Sequence, residues 1–376
     1  MDPRIREHAQ IIANHSVDLA AGDTVVVDAH PVAEDLVVAL HEVIGEAGAK
    51  PLWVIQRTGK RTGRAFLRAA GQAGEVDGSD DGRDVEFETP EHELALIEET
   101  DVYIAIRAGE NATETSDVDP ALNTAYNQAR RPITEERLRK RWCLTQFPAP
   151  ANAQLAEMST EAYENFVWDA VNKDWDAQRE HQAQLVELLE PADEVRIVSG
   201  AETDVTMSID GNTPLNDYGE YNLPGGEVFT APVPDSVEGT VLFDMPLYYQ
   251  GREVTDAFLE FEGGEVVQHS ASKNEEVLTE VLNADDGARR LGELGIGTNR
   301  DIDRFTYNML FDEKMGDTVH MAVGRAYDET VGEGNEANDS SVHVDMIVDM
   351  SEDSVIEIDG EVVQRDGTFR FEEGGV

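Results

Sequence analysis

The hydrophobic periodicity of this chain changes character near Pro191-Ala192, and that change does most to limit what it can fold into. Upstream, strand-like and helix-like runs alternate. Asp23-Thr24-Val25-Val26-Val27-Asp28 follows Gly22 and reads as a strand. Residues 32–47 then place Val32, Leu36, Val37, Leu40, Val43 and Ile44 at helical spacing. Gly45, Gly48 and Pro51 close that helix before the apolar run Leu52-Trp53-Val54-Ile55. Strand, helix, strand is a βαβ unit, and βαβ units build parallel sheets. Val102-Tyr103-Ile104-Ala105-Ile106 and Trp142-Cys143-Leu144-Thr145 supply further strands. The acidic stretch 75–84 reads as a solvated loop. Thr160 reads as the cap of a helix carrying Tyr163, Phe166, Val167, Ala170 and Val171 on one face. That helix, or a second one, runs to about residue 190.

Downstream the runs are short and separated by turns. Val195-Arg196-Ile197-Val198, Val205-Thr206-Met207-Ser208-Ile209, Thr240-Val241-Leu242-Phe243 and Ala257-Phe258-Leu259-Glu260-Phe261 all read as strands. Ser354-Val355-Ile356-Glu357-Ile358 and Glu361-Val362-Val363 flank Asp359-Gly360, a hairpin turn. Helices are expected at 275–282 and at 288–294. The fold expected is an α/β N-terminal domain with a parallel sheet, residues 1–192, and a β-rich α+β domain, residues 193–376. There is neither an internal repeat nor a low-complexity linker.

The chain has 376 residues, enough for two substantial cores. It carries 78 acidic and 29 basic residues, a net charge of −49, and only six lysines. A disordered acidic chain would lack apolar content, yet 40% of these residues are apolar. The economical reading is a folded protein in an acidic coat, as in proteins of salt-accumulating halophiles. That charge argues against nucleic acid and anionic membranes as partners. Cys143 stands alone in an apolar run, so no intrachain disulfide forms and a buried inert thiol is expected. No apolar run is long enough to span a bilayer, and no signal peptide is evident; a cytoplasmic location is the expectation.

Chemistry concentrates in the second half. His343-Val344-Asp345 lies between Ser341-Val342 and Met346-Ile347-Val348. In a strand, residues i and i+2 share a face, so an imidazole and a carboxylate project side by side while Val342 and Val344 face the other way. His320 lies in a second strand-like run, Thr318-Val319-His320-Met321-Ala322-Val323-Gly324. Two imidazoles and a carboxylate on rigid backbone suit a divalent metal. A lone strand histidine is more often structural than a ligand. The neighbouring Asp345 and the flanking Gly-rich turns separate this pair from His8, His15, His41, His92, His181 and His269, which lie in charged or helix-like surroundings. His30 ends an apolar strand.

Five ordered segments carry a resemblance. They are Asn222-Leu223-Pro224-Gly225-Gly226-Glu227-Val228-Phe229 with Ala231-Pro232; Leu291-Gly292-Glu293-Leu294-Gly295-Ile296-Gly297-Thr298-Asn299; Asp312-Glu313-Lys314-Met315-Gly316; His320-Met321-Ala322-Val323-Gly324-Arg325-Ala326-Tyr327; and Asn338-Asp339-Ser340-Ser341-Val342-His343-Val344-Asp345-Met346. In order and separation they resemble the M29 family of metalloaminopeptidases, the thermophilic aminopeptidase T type, with weaker likeness reaching the N-terminus. The resemblance implies a site holding two divalent ions (Zn, Co, Mn or Mg) on Glu227, Glu293, Glu313, His320, His343 and Asp345. It implies Tyr327 as the active-site tyrosine, short peptides as substrates and a homodimer. The sequence departs from the family at Asp317, usually Gly, and at Val344, usually Trp. Glu313 stands seven residues before His320, a longer spacing than in other members.

These residue types suit peptide hydrolysis. A bound divalent ion lowers the pKa of water and polarises a carbonyl, and a pair of ions shares the two tasks. Tyr327 would donate to the oxyanion. Glu293 would carry the proton from water to the leaving amine. Each has a plainer reading: Glu227 and Glu313 as turn or surface acids, Tyr327 as a core aromatic. Glu293 sits among Leu291, Leu294 and Ile296, where a buried carboxylate needs a partner. An alternative on the same fold is a mononuclear Fe(II) ring-cleaving dioxygenase using His320, His343 and Asp345. A metal-stabilised binding protein is a third reading, which Tyr327 and the extra carboxylates disfavour. His-Glu-x-x-His, Gly-x-Ser-x-Gly and phosphate-loop motifs are absent, as is a dinucleotide fingerprint.

Overall fold

A computed structural model describes residues 2–51, 55–56, 59–75, 86–249 and 252–372. Residues 52–54 of one expected strand, and all but the first residue of the expected acidic loop, lie outside these. The chain divides into two compact units: Met1–Lys173 with Gly219–Leu223, and Asp174–Tyr218 with Pro224–Val376.

The first unit is built on a parallel sheet. Strand β1 (Thr24–Ala29) pairs with β2 (Lys50–Pro51) on one side and β3 (Val102–Arg107) on the other; β3 pairs with β4 (Arg141–Gln146), and β4 with Asn222–Leu223. Ile55–Gln56 also pairs with β1. Helix α1 (Glu34–Ala47) is the crossover between β1 and β2. It opens after a 3-10 turn at Pro31–Ala33, places Glu34 and Asp35 in its first turn where the helix dipole favours acids, and ends on Gly48 at φ +70°. Leu36, Val37, Leu40, Val43 and Ile44 are buried, as the helical spacing predicts. Cys143 is buried in β4. The helix expected to start from a Thr160 cap is capped one residue earlier. Ser159 is extended and its Oγ accepts from Ala162 N at 3.1 Å, which leaves Thr160 as the first helical residue.

The second unit opens with α2 (Trp175–Leu189), which packs on the strands Leu215–Asp217 (β5) and Glu227–Thr230 (β6). This is why the units divide before α2 while the periodicity changes after it. Two large antiparallel sheets follow, with a two-stranded one formed by Leu247–Tyr249 and Arg252–Val254. The five-stranded one runs in the order His343–Asp349 (β9), Thr318–Gly324 (β8), Leu291–Gly297 (β7), β6, β5. The eight-stranded one runs from Glu265–Ser270 at one edge to Thr368–Phe369 at the other. It includes the expected strands and the hairpin at Asp359-Gly360, whose φ values are +48° and +78°. One apolar core joins the sheets: Val228, Leu294, Ile296, Val319, Met321, Val344 and Met346 meet Val195, Ile197, Val241 and Leu259.

The helix at Glu275–Leu282 forms as expected. The helix expected at 288–294 does not. Asp286–Arg289 is a 3-10 turn and Leu291–Gly297 is a strand buried along its whole length. Three glycines in seven residues disfavour a helix, and a strand buried on both faces loses the alternation that identifies strands.

Candidate metal centre

Strand register gathers the site. Ala322 lies opposite Asp345 and Gly324 opposite His343; Gly295 lies opposite His320, Glu293 opposite Ala322, and Glu227 opposite Gly297. Opposed residues share a face, so Glu227, Glu293, His320, His343 and Asp345 all emerge on one side of the sheet. Their neighbours Val228, Leu294, Val319, Met321 and Val344 fill the core on the other. The register shifts between Leu291 and Glu293. This bulge lets Leu291 face the core and Glu293 face the site although they are two residues apart.

Two glycines are required here. A Cβ on Gly295 would lie 2.0 Å from ring atoms of His320, so only glycine lets the imidazole lie across β7. Gly226 holds φ +121° against Asn299 and turns the chain into Glu227.

His320 Nε2 stands 3.1 Å from Glu227 Oε2 and 3.1 Å from Glu293 Oε1. His343 Nε2 stands 3.4 Å from Asp345 Oδ1 and 3.8 Å from Glu293 Oε2. His343 Nδ1 donates to the Arg325 carbonyl at 2.7 Å, which leaves Nε2 free to act as a ligand. Glu227, Glu293 and His320 offer ligand atoms within 4.8 Å of one another; so do Glu293, His343 and Asp345. Glu293 belongs to both groups.

The donor set fits divalent cations. His320 Nε2 has at most one proton to give, yet two carboxylates face it. Glu227 Oε2, Glu293 Oε2 and Asp345 Oδ1 are buried and accept no well-aligned hydrogen bond. Orphaned buried oxygens of this kind are costly unless a cation takes them.

Electrostatics follow from burial and crowding. Burial pushes Glu293 up; the nearby His320 opposes this, the Asp345 charge adds to it, and the net shift is upward. Burial also raises Glu227 and Asp345, but Lys314 and His320 outweigh it for the first and His343 for the second, so both end below the usual range. Burial lowers His343, yet Asp345 and Glu293 carry it up to about 10. A divalent ion would displace those imidazole protons. Desolvation of its hydroxyl, and then the charges of Glu293 and Asp345, hold the Tyr327 phenol protonated, although the residue as a whole is 47% exposed. The Tyr327 ring lies 5.0 Å from that of His343 and 6.3 Å from that of Phe229. Its loop is anchored: Asn338 Nδ2 donates to Gly324 O at 2.6 Å and Gly287 O at 2.8 Å, and Gly332 N donates to Asn212 Oδ1 at 3.0 Å.

Glu313 lies outside both convergent groups. Its carboxylate is paired with Lys314, and burial pushes it up to about 8 against the pull of that ammonium. Lys314 is the residue that sequence reasoning missed. It is fully buried, with Nζ 3.1 Å from Glu227 Oε1 and 3.8 Å from Asp217 Oδ2. The available signal was its place inside a matching segment of a chain with six lysines. His30 caps the turn at Pro31, accepting from Val32 N at 3.1 Å. His8 is buried against Thr145 at 2.9 Å.

The chain is similar to known proteins along its length. Aminopeptidase 2 of Geobacillus stearothermophilus is 29% identical over 419 residues, covering 99% of this chain and 98% of that protein. The solved structure of wild-type AmpT from Thermus thermophilus superposes with a TM-score of 0.83 at 25% identity, covering 98% of this chain and 99% of that one. A 2,5-dihydroxypyridine dioxygenase from Pseudomonas putida shares the fold at TM-score 0.57 and 14% identity, over 97% of this chain and 96% of that one. The family model described as thermophilic metalloprotease (M29) matches residues 1–369. The chain therefore belongs to the M29 family of metalloproteases.

Proposed function

We propose that this chain is an aminopeptidase that removes N-terminal residues from short peptides at a centre of two divalent ions. The observation that carries the proposal is the sharing of Glu293 between two groups of ligand atoms. Glu227 and His320 would hold one ion, His343 and Asp345 the other, with Glu293 between. Bound there, divalent ions supply an activated water and a polarised carbonyl. Glu293 would take the water's proton on an oxygen not used in coordination and return it to the leaving amine. The Tyr327 hydroxyl, kept protonated by its surroundings, donates to the oxyanion. A free α-amine would offer the centre a ligand atom that an acylated terminus lacks, which restricts cleavage to the N-terminus.

The dioxygenase alternative needs His320, His343 and Asp345 on one iron. Among the described residues the two imidazoles fall in different groups, and the alternative gives Glu227 and Glu293 no task. The family's homodimer and a cytoplasmic location complete the proposal. Among the described residues no helix is long and apolar enough to cross a membrane.

The test is hydrolysis of aminoacyl-nitroanilides and of free and N-acetylated peptides in molar salt, with metal content measured per chain. Cleavage of free but not acetylated substrates, with two ions per chain, is expected. Equal cleavage of both would end the aminopeptidase reading. Ring cleavage of a hydroxylated pyridine with one iron per chain would favour the alternative.

A further inference from the structure

We propose that Lys314 is a positioning residue that clamps Glu227 through Oε1, so that Glu227 presents Oε2 alone to the ion it shares with His320. This rests on the two-ion reading above. Lys314 has no exposed surface, and its Nζ lies 3.1 Å from Glu227 Oε1 while Glu227 Oε2 lies 3.1 Å from His320 Nε2. The two oxygens of one carboxylate therefore have separate partners. Glu227 also lies directly opposite Asp217 in the β5–β6 register, and Lys314 Nζ is 3.8 Å from that second carboxylate. Two acids opposed on neighbouring strands repel, and without a cation between them Glu227 would swing away from β5 and the ligand position.

The backbone around the clamp is fixed. Gln182 Nε2 donates to the Glu227 carbonyl at 2.8 Å and to that of Asp217 at 2.9 Å. Lys314 N donates to Phe311 O at 3.0 Å, and its own carbonyl accepts from Asn299 N at 3.0 Å. With both main chains held, what remains free at Glu227 is side-chain rotation, and the ammonium removes it. A plainer role also exists, since Lys314 pairs with Glu313 and could serve only to offset that charge.

The two roles separate in a metal titration. Cobalt(II) is titrated into the chelator-treated full chain in molar salt for wild type, Lys314→Met, Glu313→Gln and the double variant Lys314→Met/Glu313→Gln. The visible cobalt spectrum reports each ligand set, and near-ultraviolet circular dichroism reports the fold. The double variant leaves the pair neutral and carries the comparison should Lys314→Met alone not fold. One of two ions is expected to bind about 10–100-fold more weakly in both variants lacking the lysine, with kcat falling more than KM rises. Glu313→Gln is expected to keep both affinities. Wild-type affinities in the double variant would reduce Lys314 to charge offset, and loss of an ion in Glu313→Gln would make Glu313 a ligand; either result overturns the proposal. A single ion in wild type would defeat the two-ion reading, and the clamp would then be judged by the same comparison on that ion.

Discussion

Tyr327 and His8 show how neighbours set the task of a side chain. Tyr327→Phe removes a hydroxyl and almost no volume, and the ring keeps its contacts with His343 and Phe229. Metal content should stay at the wild-type level while kcat falls about 10²–10³-fold, the usual effect of one lost oxyanion donor. Full turnover in the variant would remove the hydroxyl from the mechanism. His8 is buried in the first unit, and burial pushes it down to about 3. Its value in the unfolded chain is about 6.5, so the unfolded state binds the extra proton between those limits. Stability from a neutral His8 is complete above about pH 6.5 and is lost as pH falls toward 3. Thermal unfolding at constant salt should show wild type losing about 2 kcal/mol more than His8→Gln between pH 7 and pH 5. Equal losses would mean that the imidazole charges in place.

Strands β6 to β9 make the site by register, and glycine makes the register usable. Gly295→Ala would drive a methyl group into the His320 imidazole. The variant should fold, at an overpacking cost of about 1–3 kcal/mol. It should bind less metal and lose at least about 10²-fold in activity, since small misplacements at a reacting centre cost that much. Unchanged metal stoichiometry and turnover would show that β7 can move aside. The turns carry a second pattern. Asp18, Asp256, Asp317, Asp353, Asp359 and Asp366 all hold positive φ, where glycine or asparagine is the easier choice. Asp359 also caps a neighbouring strand, accepting from Asp193 N at 3.0 Å and Glu194 N at 2.9 Å. Aspartate tolerates this conformation better than most residues, so turns take up charge at little cost.

For the whole molecule, a net charge of −49 repels itself wherever salt does not screen it. The Debye length is about 10 Å at 0.1 M salt and about 3 Å at 1 M. Fold and activity should therefore require molar salt, with a melting temperature that climbs with ionic strength. Replacing a dozen exposed acids far from the site with Gln or Lys should lower that requirement and leave peptide preference unchanged. Equal stability of the native protein in dilute buffer would refute the reading.

Periodicity and glycine punctuation were enough to place β1, α1, the Glu275–Leu282 helix and the Asp359-Gly360 hairpin, because local spacing reports which side of an element is buried. Period two alone put His343 and Asp345 on one face. A second strand-like run added His320, and the five matching segments brought Glu227 and Glu293 into the same argument. Local pattern failed at β7, where burial on both faces erases alternation and only pairing with β6 and β8 makes a strand. It also missed Lys314 as a member of the site. A lysine next to a glutamate reads as surface until the fold closes over it and brings carboxylates from β5 and β6 to its nitrogen. Contacts between residues far apart in sequence depend on register and bulge, which tertiary packing decides.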